Sequence, residues 1–167
     1  MTDTSTPLSL PLYGASFGEA VGRFFTKYFS YSGRASRSEY WWVIFFRFLV
    51  FLAVAAVLGG IIAATREIGY DGEYQLSVAG IIALGIAVVV YLGFELGTIS
   101  LGVRRLHDAD LSGLLYLLAL VPNVGGLVVF ILTLLPSKPA GARFDSPGAV
   151  GDMQSASTPV GSPTLEQ

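Results

Sequence analysis

Residues 104–113 read RRLHDADLSG, and they place two arginines, the single histidine and two aspartates between two strongly apolar stretches. One imidazole and two carboxylates could hold a divalent ion, and a histidine beside an acid could act as a general base. The set is thin for either chemistry. No G-x-S-x-G, H-E-x-x-H, phosphate-loop or G-x-G-x-x-G context surrounds it. No catalytic, metal-binding or cofactor-binding residue is therefore assigned. The same side chains suit a polar junction instead. Asp108 is spaced to pair with Arg104 or Arg105, and Asp110 or Ser112 can cap a following helix. The arginines can meet lipid phosphates or the carbonyl end of the preceding helix.

Two further charges stand inside apolar runs, Arg47 and Glu95. At 1.5 Å per helical residue they lie about 9 and about 13 Å from the nearer run ends, depths that one long arginine side chain can bridge. A charge at membrane depth is costly and is normally paired or turned toward a cavity. An Arg47–Glu95 pair is expected, either fixing helix register or serving as a proton or cation site. A third cluster, GRASR, presents Gly33, Arg34 and Arg37 beside a helix start, an arrangement that suits a phosphate group. At a membrane surface the commonest phosphate belongs to a lipid.

The elements that must position these residues follow from composition and period. The 167 residues are 53% hydrophobic and 13% charged, with a mean hydropathy of +0.63. Soluble domains carry about 25% charged residues, so this chain lacks the polar surface to meet water on every side. An all-α integral membrane protein is expected. The net charge of −2 excludes a general nucleic-acid binder, and with no cysteine there is no disulfide, thiolate metal site or cysteine nucleophile. The first forty residues hold no apolar run of the signal-peptide kind, so the first hydrophobic segment is expected to remain as an anchor.

Residues 1–15 read as a flexible N-terminus. Over 16–32, Phe17, Ala20, Val21, Phe24, Phe25, Tyr28 and Phe29 follow helical spacing, while Glu19, Arg23, Thr26, Lys27 and Ser30 fall on the other side. This predicts an amphipathic helix lying in the headgroup layer, opened by a Ser16/Glu19 capping box and stopped near Gly33. Ser36 and Glu39 repeat the capping-box spacing just before Tyr40, Trp41 and Trp42, the aromatic belt of a first span at 41–64. A second span is predicted at about 76–103, where a continuous helix of about 42 Å exceeds the roughly 30 Å of hydrocarbon. Gly93 and Gly97 give it a small-residue step for close helix approach. The run 111–135 predicts a third span kinked at Pro122; a re-entrant hairpin is the alternative, with arms too short to cross. Residues 137–167, rich in Pro, Ser, Gly and Ala, read as a disordered tail.

Arg23, Lys27, Arg34 and Arg37 precede the first span, and Arg104 and Arg105 follow the second, which predicts a cytoplasmic N-terminus. Three spans would then put Lys138 and Arg143 outside, against the same rule.

YFSYSGRASRSEYWW (28–42), RRLHDADLSG (104–113) and PSKPAGARFDSP (136–147) together resemble the three signatures of the DUF805 family of small bacterial inner-membrane proteins. The resemblance spans about residues 17–147 and so covers nearly all of the membrane domain at 16–136. The chain departs from that pattern with Leu114 and Leu115 in place of tryptophans, Ala142 in place of Asn and Asp145 in place of Gly. The resemblance implies a multi-pass helical protein of the inner membrane and supplies no substrate. The functional expectation is a structural or accessory protein. Its cytoplasmic-face network of Arg34, Arg37, Glu39, Arg104, Arg105, His107 and Asp108 would contact anionic lipid, a membrane protein partner or a second copy. A small oligomeric transporter using Arg47 and Glu95 is the alternative, and a membrane enzyme the minor one.

Overall fold

The structure is a computed structural model that describes residues 6–68 and 73–145. Both capping boxes form as the spacing predicts. Ser16 opens α1 (Phe17–Thr26) and Ser36 opens α2 (Arg37–Thr65), each with its Glu at the third helical position bonding back to the cap backbone. α1 stops at Thr26, short of Gly33, which sits in a left-handed turn (φ +82°) further on. After α2, Glu67–Ile68 (β1) pairs antiparallel with Tyr74–Gln75 (β2). α3 then runs from Val78 to Asp108, opened by Ser77.

α2 and α3 hold 29 and 31 residues, so each is about 45 Å long, more than the hydrocarbon needs. No residue in the most apolar 18-residue stretch of α2 is buried. Val57 is 63% exposed on α2 and Val89 70% on α3. A helix that is apolar and exposed all round has lipid as its natural solvent. Burial is concentrated at one end, where α1 packs against the start of α2 and the last third of α3. Phe24, Ala35, Tyr40, Val43 and Leu101 form the core there, and Phe24 stacks on Phe94 with ring centroids 6.2 Å apart.

Gly97 serves this packing by a route other than the predicted step between helices. A Cβ on Gly97 would meet the Tyr28 ring at 2.5 Å, whereas one on Gly93 would meet nothing within 4 Å. The missing side chain seats the aromatics of α1, and the Tyr28 hydroxyl donates to the Gly93 carbonyl.

The charged cluster is not a loop after the second long helix; Arg104 to Asp108 are its last turn. That turn closes with a Schellman motif: Leu111 N–H donates to the Leu106 carbonyl and Asp110 N–H to the His107 carbonyl, both at 2.9 Å. Asp110 takes the left-handed position (φ +62°) usually given to glycine. Ser112 then caps a 3₁₀ helix, Gly113–Leu120. A turn containing Pro122 and Asn123 (φ +67°) leads into α4, Gly125–Leu134.

These two pieces do not form one kinked rod. Leu111 is bonded to Leu106, yet Arg105 reaches the carbonyls of Thr133 and Leu135, and Lys138 N–H donates to the Asp108 carbonyl at 2.8 Å. Both ends of the segment 111–135 therefore meet at the end of α3. The arms span about 16 Å as 3₁₀ helix and about 15 Å as α-helix, half the hydrocarbon thickness each. A run of 25 apolar residues satisfies a single span and a folded-back hairpin equally; the contacts decide for the hairpin.

Two segments expected to be flexible are pinned. Leu12 N–H donates to Glu39, the Ser36 hydroxyl to the Leu12 carbonyl, and Ala15 N–H to Ser38 Oγ at 2.9 Å. The start of the expected tail forms a 3₁₀ helix, Pro139–Phe144, lying over the end of α3. Side chains at the start of α2 satisfy backbone groups of the first strap, and backbone groups of Asp108 and Gly33 bond those of the second, which composition alone does not reveal. Residues 1–5 and 146–167 lie outside the described residues.

Candidate functional site

The end of α3 gathers the network residues, and five of them, Arg34, Glu39, Arg105, His107 and Asp108, are held through separate contacts. Asp108 is completely buried. It accepts from Arg105 Nη1 at 2.8 Å, from the Tyr13 hydroxyl at 2.8 Å, and from the Ser137 hydroxyl. Arg105, equally buried, spends its remaining donors on the carbonyls of Thr133 and Leu135. Those are orphan acceptors at the C-terminus of α4, so the guanidinium caps one helix while pairing with an acid on its own.

Glu39 joins the N-terminal part of the chain to α2. It accepts from Arg23 Nε at 2.6 Å and from the backbone N–H of Ser36 and of Leu12, and Arg23 also binds the carbonyls of Thr6, Pro7 and Leu10. Arg23, expected on the solvent face of α1, is 8% exposed and points inward. The third contact is a two-pronged pair at 2.7 Å between Arg34 and Asp145. Asp145 stands where the resembled pattern has glycine, and here it supplies the acid that Arg34 grips.

His107 completes the junction. Its Nδ1 lies 3.1 Å from the Gly33 carbonyl, which can only accept, so Nδ1 carries the proton. The ring stacks on Phe144 with centroids 4.1 Å apart and planes 4° from parallel. Gly33 N–H donates to the Phe144 carbonyl at 2.9 Å. Gly141 lies against the His107 carbonyl, where a Cβ would sit 2.5 Å away. The stretches 28–42, 104–113 and 136–145 are thus one object, a clasp that closes the N-terminal strap, the two long helices and the hairpin at a single point.

Arg37 and Arg104 stand apart from these contacts. Arg37 is exposed and donates to the Leu135 carbonyl. Arg104 is 1% exposed, yet its side chain's only hydrogen bond among the described residues is a long one, 3.4 Å, from Nη2 to the Lys27 carbonyl. Among the described residues no group of three His, Cys, Asp or Glu side chains is arranged to hold a metal. Arg47 and Glu95, far along α2 and α3 from the clasp, do form an ion pair. Arg47 also lines a cleft of about 540 Å³ between α2 and the hairpin, with Tyr40, Trp41, Tyr116 and Phe130.

Sequence reasoning missed Tyr13, Arg23, Lys27, Ser137, Phe144 and Asp145. The last three lie inside the third signature, which was a signal worth following. Tyr13 and Arg23 carry none, because their partners are distant in the chain.

Lys27 gives the site a pH dependence. Burial, with Arg104 and then Arg23 beside it, pushes its ammonium down to about 8 from 10.5. The unfolded chain binds that proton more tightly, so the charged lysine opposes folding in full below pH 8. The penalty fades as pH rises from 8 toward 10.5. Thermal unfolding in a zwitterionic detergent should show stability climbing by about 1–2 kcal/mol across that window, after allowance for solvent screening. The climb should be absent in Lys27→Gln; a wild-type curve that is flat or falling would contradict it.

Two long lipid-compatible helices, closed at one end by buried ion pairs, define a class of small helical membrane protein. Within it, the chain belongs to the family described as "Protein of unknown function (DUF805)", which it matches over residues 28–146. It is 33% identical over 105 residues to the Inner membrane protein YhaI of Escherichia coli strain K12, covering 62% of this chain and 73% of that one. It is 30% identical over 117 residues to the Inner membrane protein YhaH of the same strain, covering 70% and 85%. No solved structure matches the chain.

Proposed function

We propose that the protein is a non-enzymatic structural or accessory component of the bacterial inner membrane, with the clasp at the cytoplasmic face in contact with anionic lipid or a membrane protein partner. The names of the relatives support the location. The observation that carries the reading is the distribution of charge. Arg23, Lys27, Arg34, Arg37, Arg104, Arg105, Lys138 and Arg143, eight of the ten basic residues, gather at the clasp end. The folded-back hairpin brings Lys138 and Arg143 there, which removes the conflict that a third span would create with the positive-inside rule. Anionic lipid lies against such a face, at about 1 kcal/mol per basic residue. In this reading α1 lies at the headgroup level, and two helices cross while the hairpin enters and returns.

The test is mass spectrometry of the chain released from native membranes in mild detergent. Acidic phospholipid should be retained in excess over its share of the membrane. A second reading, transport, is favoured by the Arg47–Glu95 pair, whose side chains keep 25% and 27% exposure beside an open cleft. Ion flux in proteoliposomes that Glu95→Gln abolishes, with no enrichment of acidic lipid, would replace the first reading by the second.

A further inference from the structure

Around Glu39 the charges do not balance. Arg23 pairs with Glu39, Arg104 reaches the Lys27 carbonyl, and the charges of Arg23 and Arg104 bear on the Lys27 ammonium. Glu39 is already held by Arg23 Nε and by the N–H groups of Leu12 and Ser36. Asp145, the other acid whose field reaches Lys27, is gripped on both oxygens by Arg34. Arg104 is left with one long bond to a backbone carbonyl, and its buried Nε has no hydrogen-bond partner. The Lys27 ammonium makes no hydrogen bond or ion pair among the described residues. A guanidinium has five donors, and a buried cation without an acceptor is strongly disfavoured. The arrangement calls for an anion rich in acceptor oxygens.

The surroundings say where that anion comes from. Lys27 is half-buried at the end of α1, and Phe25 (53%), Phe29 (76%) and Tyr31 (47%) beside it are exposed. Exposed aromatics flanking a cation belong at the headgroup level of a bilayer.

We propose that Lys27 and Arg104 form a binding site for a phosphate group, supplied by the phosphodiester of an anionic phospholipid. The site deepens the lipid-contact reading given above and rests on it. It also moves the contact away from Arg34 and Arg105, which protein acceptors occupy. Lys27 meets the headgroup first, and Arg104 behind it offers the planar fork that matches phosphate oxygens.

The test uses the full chain, delipidated in a maltoside detergent that carries no phosphate, and follows the thermal midpoint during titration. Phosphatidylglycerol should raise the midpoint, and diacylglycerol of the same chain length should not. Lys27→Gln should weaken the apparent affinity for phosphatidylglycerol about fivefold, the worth of one cation near an anionic surface. Arg104→Lys, which keeps the charge and loses the fork, should weaken it too, while Arg66→Gln, at the far end of α2, should leave it near wild type. If inorganic phosphate alone reproduces the shift, with the same loss in Lys27→Gln, the phosphate site stands with a free anion as its source and the lipid reading falls. If phosphatidylglycerol stabilises Lys27→Gln and Arg104→Lys as well as wild type, the site is refuted and the lipid reading survives. If neither ligand stabilises wild type, both are wrong. Lys27→Gln is expected to fold at least as well as wild type without ligand, since it removes an uncompensated charge.

Discussion

Replacing Asp108 with alanine is expected to cost about 3–5 kcal/mol, the largest stability effect of any single change at the clasp. The carboxylate lies at 0% exposure against Arg105, also at 0%. Removing it strands a buried guanidinium and leaves the Ser137 and Tyr13 hydroxyls without the acceptor they share. Arg105 keeps its bonds to Thr133 and Leu135, which stops the loss from being larger. Asp108→Asn should fall between the two, because an amide oxygen still accepts while the charge is gone. Arg143→Ala is the control: its pair with Asp110 is 62% exposed on the arginine side, and such pairs contribute about 0–1 kcal/mol. Thermal unfolding in detergent ranks the three variants. Limited proteolysis adds a local readout, since loss of Asp108 should free the strap 136–145 for cleavage. An Asp108→Ala midpoint no lower than that of Arg143→Ala would mean that the ion pair does not hold the clasp.

The features legible in the sequence are those governed by neighbours a few residues away. Hydropathy and helix caps found α2 and α3, and the Ser36/Glu39 spacing marked the cap that opens α2, ahead of the expected span start at 41. Depth counted along each helix was enough to match Arg47 with Glu95, because only a partner at similar depth can satisfy a charge in lipid. Arg23 shows where this reasoning stops. A helical wheel sorts side chains by type, so it sent an arginine to the solvent face of α1, while the acid that draws it inward belongs to α2. The hairpin was ambiguous for a related reason. Its apolar length matches one crossing, and the contact that folds it back joins Arg105 to backbone carbonyls 28 and 30 residues on, which no local pattern encodes.

That fold-back has an all-or-none consequence. The chain has no cysteine, so single cysteines can be read without background. Ser32, before α2, and Ala140, after the hairpin, are both exposed and both lie at the clasp end, whereas Gln75 is exposed in β2, between the far ends of α2 and α3. Cysteines at Ser32 and Ala140 should therefore share one sidedness toward an impermeant maleimide, and a cysteine at Gln75 should take the other. With eight basic residues at the clasp end, Ser32 and Ala140 are expected to react only when the cytoplasmic side is opened, and Gln75 in intact cells. The two comparisons separate two claims. Ala140 labelling with Gln75 would require a third crossing and would break the Arg105 caps on α4, because one guanidinium cannot reach both membrane faces. Ser32 and Ala140 labelling together from outside would keep the hairpin and invert the protein, placing the phosphate site against the other leaflet.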